Sequence, residues 1–132
     1  MVSGRGNDQA RGMRLGTVAS LLAALAVAAG AFGAHGLRGR IDANALGVFE
    51  TAVRYHLLHA FAAAFAADRA SRGGGAAAGW AGALFVVGIA LFAGSLYVLA
   101  LGGPRWVGVL TPLGGLAFMA GWVALAASFR GR

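Results

Sequence analysis

The feature that most constrains this chain is the length of its stretches without a formal charge. Asp, Glu, Lys and Arg are absent from Leu15–Leu37, Tyr55–Ala67, Gly73–Pro104 and Trp106–Phe129. Three of these exceed the ~18 residues that mark a transmembrane helix, because ~20 residues at 1.5 Å rise cover ~30 Å of hydrocarbon. With 59% of its 132 residues hydrophobic and 11% charged, a soluble fold could not hide so much apolar surface and would aggregate. The lipid bilayer is the expected solvent. The fold class that follows is all-α: an integral membrane four-helix bundle with short loops.

The net charge of +7 comes from arginine, with no lysine and four acidic residues. A nucleic-acid binder would gather that charge on one soluble face. Here the arginines sit in short pieces between apolar runs, as in proteins that use them to fix membrane orientation, so nucleic acid is not an expected partner. The chain has no cysteine. Disulfides, thiolate metal sites, iron–sulfur clusters and cysteine nucleophiles are therefore excluded together.

Residues 1–13 are polar and rich in glycine, and are expected to form a disordered cytoplasmic tail, with Met13 an alternative start to Met1. A single membrane domain is expected over 14–129, with helices at about 15–33, 45–67, 79–101 and 107–128. The first segment has the basic flank of a signal peptide, but it outruns an h-region and precedes further spans, so it reads as an uncleaved helix. Gly16, Ser20, Ala24 and Ala28 form one small-residue stripe, and Ala78, Gly82, Ala90 and Gly94 a second, suited to close helix packing in lipid. The run Gly30, Gly33, Gly36 closes the first helix in a turn; its spacing is not that of a dinucleotide-binding loop. Gly102, Gly103 and Pro104 stop the third helix, and Trp80, Tyr97 and Trp106 fall near span ends, where amphipathic rings sit at the headgroups.

The second helix is the anomalous one. "FETAVRYHLLHAF", Phe49–Phe61, places Glu50, Thr51, Arg54, Tyr55, His56 and His59 where a full crossing takes them into the membrane. Glu50 and Arg54 stand at i,i+4 and can pair. Thr51, Tyr55 and His59 make a second i,i+4 line. Four spans put Arg5, Arg11, Arg14, Arg69, Arg72, Arg130 and Arg132 on one side, against Arg38, Arg40 and Arg105 on the other. Positive-inside then places both termini in the cytoplasm. Glu50 and Arg54 would lie in the outer half of the bundle. His35, Ser95, Tyr97 and Thr111 approach the same side, which predicts one polar cluster walled by glycine-rich helix ends.

Two imidazoles at His56-x-x-His59 suit a metal by spacing, but no third ligand accompanies them. Ser95 lacks a nucleophile elbow and the acidic residues do not pair. No catalytic residue, metal site or cofactor is assigned.

The segments "GAFGAHGL" (30–37), "FETAVRYHLLHA" (49–60), "LFAGSLYVLAL" (91–101) and "TPLGGLAFMAGW" (111–122) resemble the YgdD-like small inner-membrane proteins, over about residues 14–128. The resemblance implies a multi-pass protein of the bacterial cytoplasmic membrane with four transmembrane helices and no assigned activity. It draws attention to Gly30, Gly33, His35, Gly36, Thr51, Tyr55, His59, Gly94, Ser95, Tyr97, Thr111, Pro112, Gly114 and Gly115. His56 stands where the family has Gln in many members, which weakens a two-histidine metal site. The expected function is a non-enzymatic accessory or interaction module, working as a homo-oligomer or with a membrane-complex partner. The alternatives are a small transporter or channel component using the polar cluster, and a cofactor-bearing redox subunit.

Overall fold

The computed structural model describes residues 2–130, with side chains from residue 4 onward; Met1 and Arg132, which entered the start-site and arginine readings, lie outside them. Four helices follow one another: α1 (Val2–Phe32), α2 (Ala43–Ser71), α3 (Gly75–Ala100) and α4 (Leu110–Ala127). Two π-turns punctuate them. Gly33–Leu37 ends α1, and Ile89–Ala93 lies inside α3. A 3-10 turn, Arg105–Val109, leads into α4.

The helix ends have local causes. Gly39 takes φ +84°, a left-handed conformation that suits glycine, and reverses the chain after α1. Asp42 then caps α2, its carboxylate accepting from the Ala45 N–H at 2.7 Å. Between α2 and α3 only residues 72–74 remain outside helix, so the loop expected over 68–78 is mostly helical. Residues 2–13 need the same correction. They continue α1 upward as helix instead of forming a structureless tail.

Gly4–Leu37, Gly75–Ala100 and Arg105–Ala127 are each long and apolar enough to cross a membrane. The protein is an all-α membrane bundle. At 29 residues α2 has the length, but its polar residues keep it outside that group.

Each helix packs chiefly on its neighbours in sequence, and the backbones of α2 and α4 stay apart. On α1 the buried positions include Gly12, Ala19, Ala26 and Gly33, a seven-residue repeat. On α2, Phe49, Ala52, His56, His59, Ala63, Ala66 and Ala70 are all buried, with alternating spacings of three and four. That period of 3.5 is the signature of helices wrapped with a left-handed twist. The α1–α2 contact is close. A Cβ on Gly12 would stand 3.0 Å from the Ala67 carbonyl oxygen, and one on Gly33 would stand 3.0 Å from the Phe49 ring. Lipid supplies little hydrophobic drive between helices, so such small-residue contact provides the packing.

The stripe expected on α1 is therefore the wrong one. Ser20, Ala24 and Ala28 are exposed, and only Gly16 touches α2, near Ala67. On α3 the stripe holds through Ala78 and Gly82 and then fails: Ala90 is exposed, and a Cβ on Gly94 would meet nothing within 4 Å. The π-turn explains the failure, because its extra residue rotates the following positions out of the i,i+4 register.

Candidate functional site

Four polar side chains are buried among the described residues: His56, His59, Ser95 and Ser128. Each is bonded to a side chain of another helix or of the turn that leads into one.

His59 reaches furthest. Its Nδ1 lies 2.8 Å from the Tyr55 carbonyl one turn back, an oxygen that can only accept, so Nδ1 carries the proton. Its Nε2 is left with a lone pair and accepts from the Trp122 indole N–H at 3.1 Å. The ring also lies flat on Phe118, with centroids 3.5 Å apart, and tilts against Phe85. Neutral His59 thus joins α2 to α4, whose backbones do not meet.

His56 lies three residues earlier and faces α3 instead. Its Nδ1 is 2.8 Å from the Tyr97 hydroxyl. Its Nε2 is buried without a hydrogen-bond partner.

Ser95 donates to the Phe92 carbonyl inside the π-turn at 2.9 Å. Having one hydroxyl proton, it must accept from Thr111, at 2.5 Å, which fixes the start of α4 against α3. One turn on, Gly114 meets the backbone of Phe92: an added Cβ would overlap the Phe92 nitrogen and stand 2.7 Å from its Cα. Thr111, Gly114 and Phe118 fall at i, i+3 and i+7 of α4, one face that fits the widened turn. Gly121 repeats the pattern two turns further along α4, with a Cβ there 2.7 Å from the Phe85 ring.

At the arginine-rich end, Arg69 donates from Nε to the Ser128 hydroxyl (2.9 Å) and from Nη2 to its carbonyl (2.6 Å). Its guanidinium lies 3.8 Å from the centre of the Phe129 ring. This contact closes the C-terminus of α4 onto α2 and satisfies one of its orphan carbonyls.

The structure divides the expected polar cluster. His59, Ser95, Tyr97 and Thr111 are bonded between helices, in three separate contacts. Tyr55 is exposed along one edge and packs on Phe92 and Phe118. Thr51 bonds the Gly47 carbonyl of its own helix. His35 is exposed in the first π-turn, and Glu50 and Arg54 are exposed on α2. Glu50 and Arg54 do not pair; among the described residues the one ion pair is Arg72–Asp68, at 3.0 Å. An exposed i,i+4 pair gains only ~0.3–0.5 kcal/mol, which ordering two long side chains readily offsets. Of the glycines expected at packing faces, Gly33 and Gly114 are tight. Gly30 and Gly115 make ordinary contact, and Gly36 meets Phe32 of its own helix.

Sequence reasoning missed Trp122, Phe118, Arg69 and Ser128, and set His56 aside. The available signal was the spacing of Phe118, Gly121 and Trp122, which brings two aromatic rings and a gap to one helix face. Among the described residues no three of His, Asp and Glu gather where an ion could bind.

Residues 29–115 match the family model described as "Protein of unknown function (DUF423)". The UPF0382 membrane protein YwdK of Bacillus subtilis (strain 168) is 48% identical over 107 residues, covering 78% of this chain and 85% of that protein. A UPF0382 membrane protein of Haemophilus influenzae is 37% identical over 114 residues, covering 83% and 88%. The UPF0382 inner membrane protein YgdD of Escherichia coli (strain K12) is 37% identical over 99 residues, covering 75% and 76%. No solved structure matches. This chain thus belongs to the DUF423 family of membrane proteins, whose function is unknown.

Proposed function

We propose that this protein is a non-enzymatic interaction module of the bacterial inner membrane, in which α2 crosses together with the other three helices and both termini face the cytoplasm. The observation that carries the reading is the pairing of all four buried polar residues with side chains across helix–helix contacts. Groups used in this way hold a shape rather than conduct or transform a substrate. The crossing of α2 is supported by its place between α1 and α3, joined to both by short connections. The free face of α1, with Leu21, Leu25 and Val27 exposed around Ser20, Ala24 and Ala28, is the surface offered to a second copy or a partner helix.

The test is association in liposomes, read by energy transfer between labelled copies at increasing lipid dilution. Wild-type transfer above random co-localisation, reduced by Ala24→Leu, supports the module. A monomer that by itself carries a flux sinks it.

One observation favours the transporter reading: the Nε2 of His56, buried without a hydrogen-bond partner. Proton or ion flux in liposomes that is lost in His56→Ala and His59→Ala, with folding retained, would establish that reading instead.

A further inference from the structure

A groove of about 380 Å³ opens at the arginine-rich end, between the upper part of α1, the end of α2 and the start of α3. Its volume is in the range of ligand pockets. The residues that shape it are Asp8, Arg11 and Leu15 of α1 and Gly79, Trp80 and Ala83 of α3. They are graded along its length. Asp8 and Arg11 stand at one end and Leu15 and Ala83 at the other, while glycine and alanine leave the space between.

The depth of this gradient matches the edge of a bilayer. At 26 residues α3 is ~39 Å long, so about 4–5 Å extends past each side of a ~30 Å hydrocarbon core. Trp80, the sixth residue of α3 and exposed, then lies near the headgroup boundary, where such rings concentrate. From Ala76 to Ala83 the groove runs ~10 Å along α3, and its lower ~7 Å lies in hydrocarbon. Its upper rim is basic. Arg11 lines it beside Asp8, and along the first fourteen residues of α1 Arg5, Arg11 and Arg14 outnumber that one carboxylate.

We infer that this groove holds one acidic phospholipid, its phosphate-bearing headgroup beside Arg11 and one acyl chain laid along Gly79 and Ala83. The charge selects the headgroup and the small residues admit the chain. A zwitterionic lipid meets the same apolar wall without the electrostatic gain.

Native mass spectrometry of the full-length protein in mild detergent tests this, with phosphatidylglycerol and phosphatidylcholine of identical chains. Phosphatidylglycerol should be retained about fivefold more, the gain expected from one arginine at a membrane surface. Arg11→Gln should reduce that preference to below about twofold. Gly79→Leu should remove both adducts without loss of thermal stability, because a Cβ there meets nothing within 4 Å and would point into open space. Equal retention of the two lipids overturns the inference. So does an unchanged adduct in Gly79→Leu, displacement of phosphatidylglycerol by inorganic phosphate alone, or an equal effect of Arg105→Gln at the opposite end.

Discussion

The contact between α1 and α2 and the contact between α2 and α4 solve the same problem in opposite ways. In the first, Gly12, Ala19, Ala26 and Gly33 bring two backbones together, and nothing longer than a methyl group stands at those positions. In the second the backbones stay apart, and His59, Phe118, Trp122 and the Arg69–Ser128 contact fill the distance. A small-residue seam is tolerant of chemistry and intolerant of size. A seam of long side chains depends on which atoms face each other. In lipid, where apolar burial between helices supplies little drive, the first fixes proximity and the second fixes register and rotation. The polar run 49–61 belongs to both, because α2 is the helix the two seams share.

The largest expected effect is at Gly114, where size and backbone meet. Gly114→Leu should cost about 3 kcal/mol or more, because the backbone of Phe92 cannot move away as a side chain can. Unfolding in bicelles reads this directly, and a variant within about 0.5 kcal/mol of wild type would show that α4 does not seat against the π-turn.

His59→Leu comes next, keeping volume while removing the hydrogen bond and the ring stack. A loss of about 2 kcal/mol is expected, from a transmembrane hydrogen bond plus an aromatic contact. Thr111→Val and Tyr97→Phe delete one hydroxyl each without changing shape, and each should cost about 0.6–1.7 kcal/mol in the same assay.

The smallest effect sharpens the contrast from the other side. Ala19 is fully buried on the α1–α2 seam, yet Ala19→Ser should change stability by less than about 0.5 kcal/mol. The hydroxyl can bond the carbonyl four residues back, as Thr17 and Ser20 already do on this helix. A large loss there would mean that the first seam also reads chemistry.

Much of this was legible in the sequence, for identifiable reasons. Long charge-free runs dictated helices and membrane, and Gly102–Pro104 marked the end of α3 that the structure keeps. His59, Ser95, Tyr97 and Thr111 stood out as polar residues in apolar surroundings, and all four are bonded between helices. Their partners were not legible. The bond from His59 to Trp122 spans 63 positions, and periodicity on one helix carries no information about the face of another. On α1, both Gly16–Ala28 and the Gly12–Gly33 repeat were readable as small stripes; the 3.5 period of α2 decides between them. The π-turn in α3 has no composition signal, so Ala90 inside it and Gly94 just past it leave the face that an i,i+4 count predicts. The Glu50–Arg54 pair failed because spacing permits a contact without supplying the energy to hold it.

The most direct test of the central claim, that buried polar residues here fasten helices, is a double-mutant cycle on His59 and Trp122. His59→Leu, Trp122→Phe and the double variant would be compared by reversible unfolding in bicelles. A coupling energy of about 0.6–1.7 kcal/mol is predicted, because Trp122→Phe should cost little once the accepting nitrogen is gone. Additive losses, with coupling below about 0.3 kcal/mol, would contradict the account and release His59 for a role other than holding α2 to α4.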